Sequence, residues 1–479
     1  VLTAMIEGFA LDLSNFTLPH DSMDTLLEKL RAHKAKLPEG AWIFAFGVDP
    51  ARTTPFMAEL DADSLDKVST TNPIFVMNQS GHLAYVNHKA LEVAGITNAT
   101  PNPGTGGVYV KDANGNLTGK LDEAMTFYPF IKKIAPPAKE DVVKAYLKTA
   151  GNLSAKGVTT SAEITVGAVL GLDPEVELLT AATHRDGFPL RIRGYLFGPV
   201  LPEGFSKIKP NDGDDMFRMV GVKFVADGST QGLTAALSKP YAYPKGTTNQ
   251  GGLDYEDAAL YKAAKPLYDQ GWQLAIHANG DRTVQQALDL YAKLLADQKN
   301  PAARRMRIEH FTVTSEKQVD QAAKLGVVPG MTIGHVNYWG EAFHDHILEP
   351  ELANRIDPTG SLVKRNVHFA LHSDSPVSPY NPLQYISTAV SRLWQMPPRK
   401  VLGPEQRVAV DRAIKAVTLD AAYSMFVDDH VGSLEVGKWA DFVILDRNPR
   451  KTDPDKIPEI KILGTWLNGK PAYNAPSAP

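Results

Sequence analysis

The chain reads as an α/β protein built on a (β/α)8 TIM barrel, with an insertion over the barrel mouth and a small β-sandwich made from the chain ends. Three observations predict this. Short apolar runs alternate with amphipathic helical patterns from about residue 157 to 374, the rhythm of repeated βα units. Four of those runs end near a residue that carries chemistry: Lys223 in GVKFVADG, His277 in QLAIHANGD, His310 in RIEHF and Asp374 in FALHSDSP. Barrel enzymes keep their active groups at the carboxyl-terminal ends of strands. At 479 residues the chain has room for one large barrel and a further piece.

Residues 1–14 are expected to be the remnant of a first barrel unit. Residues 15–135 are read as an insertion subdomain, because WIFAFGVDP, NPIFVMNQSGHLAYVNHKAL and GGVYVKDANGNLTGKLDE alternate or turn at Gly, Pro and Asn. The last of these is a hairpin tipped by Ala113, Asn114 and Gly115. Residues 136–426 form the barrel, with strands in GVTTSAEI (157–164), RIRGYLF (191–197), MVGVKFVADG (219–228), QLAIHA (273–278), RRMRIEHF (304–311), GVVPGMTI (326–333) and VHFALHSD (367–374). DPEVELLTAATHRDG, YEDAALYKAAKPLYDQG, DRTVQQALDLYAKLLADQ and SEKQVDQAAKLG lie between strands as helices with one apolar face. Seven units are counted, whereas a closed barrel needs eight strands, so a first strand is expected at or before the amino terminus. In residues 427–479, VGSLEVGKWADFVILDRNP and ILGTWLNGKPAY read as short strands, the carboxyl-terminal part of the sandwich.

Composition narrows the function. With 50 basic and 54 acidic residues the net charge is −4, so no field is present to attract a polyanion and nucleic acid is not an expected partner. No run approaches the ~18 apolar residues of a membrane span. A cytoplasmic protein is expected, or a periplasmic or secreted one if a preceding segment carries a signal peptide. Zero cysteines exclude disulfides and thiolate metal sites, which leaves His, carboxylates and a modified Lys as metal ligands. The expected partner is a small-molecule substrate, and a homodimer is compatible with this reading.

Strand alternation places Lys223, Val225 and Asp227 on one face, and His368, Ala370, His372 and Asp374 on another. An unpaired ammonium inside a barrel is heavily penalised. Lys223 is therefore expected to be neutral, paired at the rim with Asp227 or Glu163, or converted by carbon dioxide into a carbamate that binds metal as a carboxylate does. Neutral imidazoles of His277 and His310 are suited to bind zinc. Asp374 is expected to orient a water, take its proton and hand it to a leaving amine; its plainer role is a turn residue before Ser-Pro. Asp227 and Ser229 are candidate substrate-binding residues, as are His335 and Trp339 in GHVNYWG, and Glu163 is expected to support the metal ligands from behind. The loop 229–252, rich in small and turn residues, is expected to be a lid.

The ordered series GVTT, VKFVADGS, AIHANGD, RIEH and HSDSP, with the tail GSLEVGKWADFVILD and TWLNGK, resembles the amidohydrolase superfamily, in the branch that includes N-substituted formamide deformylase. The likeness runs over essentially the whole chain. It implies one or two divalent ions, usually zinc, at the barrel mouth, held by carboxylated Lys223, His277, His310 and Asp374, with Asp374 also as base. His82 in SGHLAYVN matches a position that reaches from the insertion toward the substrate, and is implied to polarise a carbonyl or bind substrate. The reaction implied is attack of a metal-activated hydroxide on an amide, formamide or cyclic amide. Ester or lactone hydrolysis, and small-ligand binding without turnover, are the alternatives. The family opens its barrel with a strand of type PGFIDxHxH, whereas this chain begins at VLTAMIEGF, so that segment is expected to be missing from it. His344 and His346 have the HxH spacing but sit at a helix start and are not counted as ligands.

Overall fold

The computed structural model describes residues 1–104 and 106–475. A mixed sheet is formed by β1 (Leu11–Asp12), β2 (Ile43–Val48), β3 (Ile74–Asn78), β4 (Leu83–Val86), β5 (Val108–Lys111) and β6 (Leu117–Asp122), in spatial order β1-β2-β3-β4-β6-β5; β2 to β6 lie in the segment read as an insertion, and β1, from the segment expected to be a barrel remnant, joins them at the edge. Every residue of β3 is buried, and its side chains alternate between two apolar clusters, Phe75 and Met77 on one side, Ile74 and Val76 on the other. A strand buried on both faces reads as a continuous apolar run, here IFVM. The helix Met23–Lys34 begins at Ser22, whose hydroxyl accepts from Thr25 N at 3.2 Å, and buries Leu26, Leu27 and Leu30 against the second cluster. Each such side chain contributes about 1.5–3 kcal/mol.

Register within this sheet positions a functional pair. β4 runs antiparallel to β6 with Leu83 opposite Asp122, so His82 and Glu123 meet where the strands end. Glu123 N donates to His82 O at 2.7 Å.

Seven parallel strands form the interior: β7 (Thr160–Val166), β8 (Arg191–Phe197), β9 (Phe217–Val225), β10 (Gln273–Ala278), β11 (Arg307–His310), β12 (Val328–Thr332) and β13 (Ala370–His372), side by side in chain order. β8 and β10 have the bounds read from sequence, because apolar or fully buried residues fill them end to end. β13 is shorter than expected. The eight-stranded closure is not found among the described residues: the sheet runs from β13 to β7 and stops. It curls so that both edges, through Ala162 and Leu371, line one cavity.

Helices cover the outer face of this sheet. Asp281–Leu294 buries Val284, Ala287, Leu288, Tyr291 and Leu294, a helical repeat turned toward Ile276 and Ile308 in the same core. The Tyr291 hydroxyl donates to Arg307 O at 2.6 Å, tying helix to strand. Glu316–Leu325 opens with a reciprocal cap between Ser315 and Gln318 and closes at Gly326, whose φ of 66° suits glycine.

The tail forms a three-stranded antiparallel sheet of β14 (Phe442–Leu445), β15 (Ile462–Leu467) and β16 (Lys470–Asn474). No strand from the amino-terminal end joins it among the described residues, so the expected two-layered sandwich is represented by this one sheet. Residues Leu2–Phe9 form a helix whose Ala4 packs into the main core with Tyr146. Among the described residues no helix is long and apolar enough to cross a membrane.

Candidate active site

A cavity of about 1050 Å³ lies between the insertion and the carboxyl-terminal ends of the parallel strands, lined by Lys223, His277, His310, Asp374, His82 and Glu123 among others. Lys223 points inward from β9 while its neighbour Phe224 joins the outer core. It is 3% exposed. Burial pushes its amine below the ordinary lysine value, against the pull of Glu309 and Asp374. That shift favours the neutral, nucleophilic amine.

The rings of His277 and His310 stand 4.3 Å apart. Burial lowers the pKa of both, His310 well below the usual imidazole range, so both are neutral near pH 7. Nε2 of His277 faces Gly228 O at 3.1 Å, and Nδ1 of His310 pairs with Thr332 Oγ1 at 2.8 Å. Nδ1 of His277 and Nε2 of His310 have no hydrogen-bond partner among the described residues. His310 has a φ of 74°. This left-handed turn brings its ring into the cavity, where strict alternation would put it on the outer face with Ile308. Asp374 also takes a positive φ, 55°, in a turn closed by Val377 N donating to its carbonyl at 2.7 Å. The negative charge of Asp374 acts on both Lys223 and His82.

Three features of the site were not read from sequence. Arg307 and Glu309 alternate with Ile308 on β11 and form a buried ion pair, with Nε to Oε1 at 2.7 Å. Burial by itself raises the Glu309 carboxyl, but Arg307 and then Lys223 outweigh it and hold it below its usual value. His82 Nδ1 lies 2.8 Å from Glu123 Oε2. Burial opposes the charged His82 ring, yet Glu123 reverses the balance and raises its pKa. Gln79 Nε2 donates to Pro376 O at 2.7 Å and Val377 O at 3.0 Å, latching the insertion onto the turn after Asp374.

Other expected site residues are placed elsewhere. Asp227 does not line the cavity. Its carboxylate accepts from Asn279 N, Gly280 N, Ala236 N and Thr283 Oγ1 at 2.7–3.1 Å, which spends it on capping the helix Asp281–Leu294. Ser229 is buried and its hydroxyl accepts from Gly232 N at 3.2 Å. His335 is buried beside Thr312 and Asp357, at 3.3 and 3.6 Å. Trp339 is fully buried and donates to Asp49 at 2.6 Å, so it ties the segment after β12 to the amino-terminal sheet region. Glu163 lines the cavity but sits lower, opposite Gly194, where it meets the amino group of Val1. The loop 229–252, expected as a lid, is tied down by Ser238 N donating to Asp281 at 2.7 Å and by Tyr241 donating to Ala235 O at 2.8 Å. His344 and His346 pair with Asp345 and Glu341 outside the cavity.

The donor set fits a divalent ion in chemistry: two neutral imidazoles with their other nitrogens already engaged, and a buried amine whose pKa is lowered by burial. Among the described residues no three His, Cys, Asp or Glu side chains are gathered tightly enough to hold an ion by themselves.

Residues 5–473 match the Amidohydrolase family. Protein LONG AFTER FAR-RED 3 of Arabidopsis thaliana is 29% identical over 451 residues, 91% of this chain and 74% of that protein. N-substituted formamide deformylase of Arthrobacter pascens is 26% identical over 480 residues, 95% of this chain and 83% of that protein. The crystal structure of an uncharacterized metal-dependent hydrolase from Pyrococcus horikoshii has the same fold, with a TM-score of 0.69 at 23% identity over 95% of this chain and 84% of that one.

Proposed function

Because this chain belongs to the amidohydrolase family, we propose that it hydrolyses a carbon–nitrogen bond other than a peptide bond in a small amide, formamide or cyclic amide. The convergence of Lys223, His277, His310 and Asp374 from separate strand ends into one cavity beneath His82 carries this reading. The likeness to a formamide deformylase supports a substituted formamide as the first class to test. In this reading the parallel sheet is the main part of a (β/α)8 barrel and the carboxyl-terminal sheet is one layer of a small sandwich.

A divalent metal, zinc in the first instance, would be held by His277, His310 and Lys223 as its carbamate, with Asp374 completing the set. When bound, such an ion would supply carbonyl polarisation and a water acidic enough to attack at neutral pH. Asp374 accepts the proton of the attacking water and returns it to the departing nitrogen, which leaves as the free amine while the hydroxyl stays on the carbonyl carbon. His82 hydrogen-bonds the carbonyl oxygen as charge collects on it. Arg307 and Glu309 form a buried ion pair beneath Lys223, in which the guanidinium holds the Glu309 carboxyl ionised.

Zinc reconstitution with and without bicarbonate, followed by metal analysis and intact mass, tests this site. Bicarbonate is expected to raise zinc occupancy and to add the mass of one carbon dioxide, both abolished in Lys223→Ala. A panel of N-substituted formamides, amides and cyclic amides with matched esters and lactones tests the reaction. Faster turnover of the esters, or metal binding with no turnover, overturns the amide reading.

A further inference from the structure

We propose that Glu123 is the positioning residue for His82, so that the insertion delivers a preset imidazole to the barrel mouth; the catalytic part of this inference rests on the hydrolase reading above. Both side chains are largely enclosed, 15% exposed for His82 and 7% for Glu123. Their backbones are locked together by the Glu123 N to His82 O bond of 2.7 Å, and His82 N donates to Ser80 Oγ at 3.2 Å. The Glu123 carbonyl is fixed in turn by Thr126, whose N and Oγ1 donate to it at 3.0 and 2.7 Å.

Glu123 also holds a backbone that only a strong surrounding constraint sustains. Its φ is 65° with ψ 149°, a conformation that non-glycine residues rarely adopt. The consequence is a carboxylate aimed at the ring above it. Gly228 makes the room: a Cβ there would lie 2.4 Å from Glu123 Oε1. The carbonyl of the same Gly228 engages His277 Nε2 at 3.1 Å, and the His82 and His277 rings lie 4.7 Å apart. One glycine thus seats both the metal-side imidazole and the carboxylate that orients the substrate-side one.

An ionised carboxylate at Nδ1 requires the proton on that nitrogen, so Nε2 of His82 is the atom left for the substrate. A carboxylate behind an imidazole fixes its tautomer and its rotation together.

The test compares Glu123→Gln, His82→Gln and the double variant by kinetics of the zinc-loaded enzyme on whichever amide the panel shows to be turned over, and by ¹⁵N NMR of histidine-labelled protein without substrate. E123Q is expected to lower kcat about 10–100-fold with KM little changed. The double variant is expected to be no slower than H82Q, because Glu123 acts through the ring. The Nδ1-bound proton signal that disappears in H82Q is expected to move in E123Q. Should E123Q not fold, Glu123→Asp, which keeps the charge on a shorter arm, is expected to show the same signal displaced and an intermediate loss of kcat. Losses that add in the double variant, or an unmoved Nδ1 signal in either Glu123 variant, overturn the proposal. The NMR measurement needs no turnover, so it decides the pairing even if no amide is hydrolysed and the functional reading itself falls.

Discussion

Arg307 and Glu309, two residues apart on one strand, bridge side-on, with Nε to Oε1 at 2.7 Å and Nη2 to Oε2 at 3.0 Å. Both are buried, and Arg307 Nη1 also donates to the Tyr195 hydroxyl at 2.9 Å. A charged layer thus lies under the lysine inside the parallel sheet.

Arg307→Met removes the partner and strands the Glu309 carboxylate. A loss of about 3–5 kcal/mol is expected, read from urea unfolding. Arg307→Met combined with Glu309→Gln is expected to recover part of it, because no uncompensated charge remains.

Asp374→Asn keeps the shape of the turn and removes the carboxylate proposed as the base. The expected outcome is a kcat lower by about 10²–10⁴-fold, with an unchanged circular dichroism spectrum. A loss of less than tenfold would assign Asp374 to the turn alone.

Gly228→Ala places a methyl group 1.9 Å from Thr234 Oγ1 and 2.4 Å from Glu123 Oε1. Overpacking of this kind costs about 1–3 kcal/mol. A lowered melting temperature together with reduced turnover is expected, since the displaced carboxylate no longer aligns His82.

His20 provides a pH dependence remote from the site. Burial first, and then Arg52, hold its imidazole down from 6.5 to about 4. Because the folded pKa is depressed, the unfolded chain takes up a proton that the folded one refuses. Stability is therefore full above 6.5 and is lost as pH falls toward 4. His20→Gln is expected to flatten that part of the profile, measured as urea midpoints at the two ends of the window.

The sequence and the structure agree most closely where burial is uniform. RIRGYLF and QLAIHA became strands at the read bounds because nothing within them competes with the ladder. Disagreement begins where a polar side chain bends the backbone. Asp374 leaves the extended region at φ 55°, so its strand ends at His372, two residues earlier. Asp227 follows Lys223 closely in sequence, but in the fold its carboxylate caps a helix start and lies 3.4 Å from Nε2 of His277, behind the cavity rather than in it. Glu123 carries no signal in its own segment. Only the antiparallel register of Leu83 with Asp122 brings it to His82, and one-dimensional periodicity does not contain that register. Arg307 and Glu309 alternate with Ile308 in RIEHF, a spacing that puts two charges on one strand face without showing that they pair.

Gln79 gives both hydrogens of a single amide to the turn that carries Asp374. Lifting this roof off the parallel sheet breaks two enclosed bonds, at about 0.5–1.5 kcal/mol each, and frees the turn that carries Asp374. A chimera that exchanges residues 15–135 for the corresponding stretch of a relative therefore transplants roof, fastener and imidazole as one cassette, and grafts whose glutamine meets the wrong turn are expected to sit ajar.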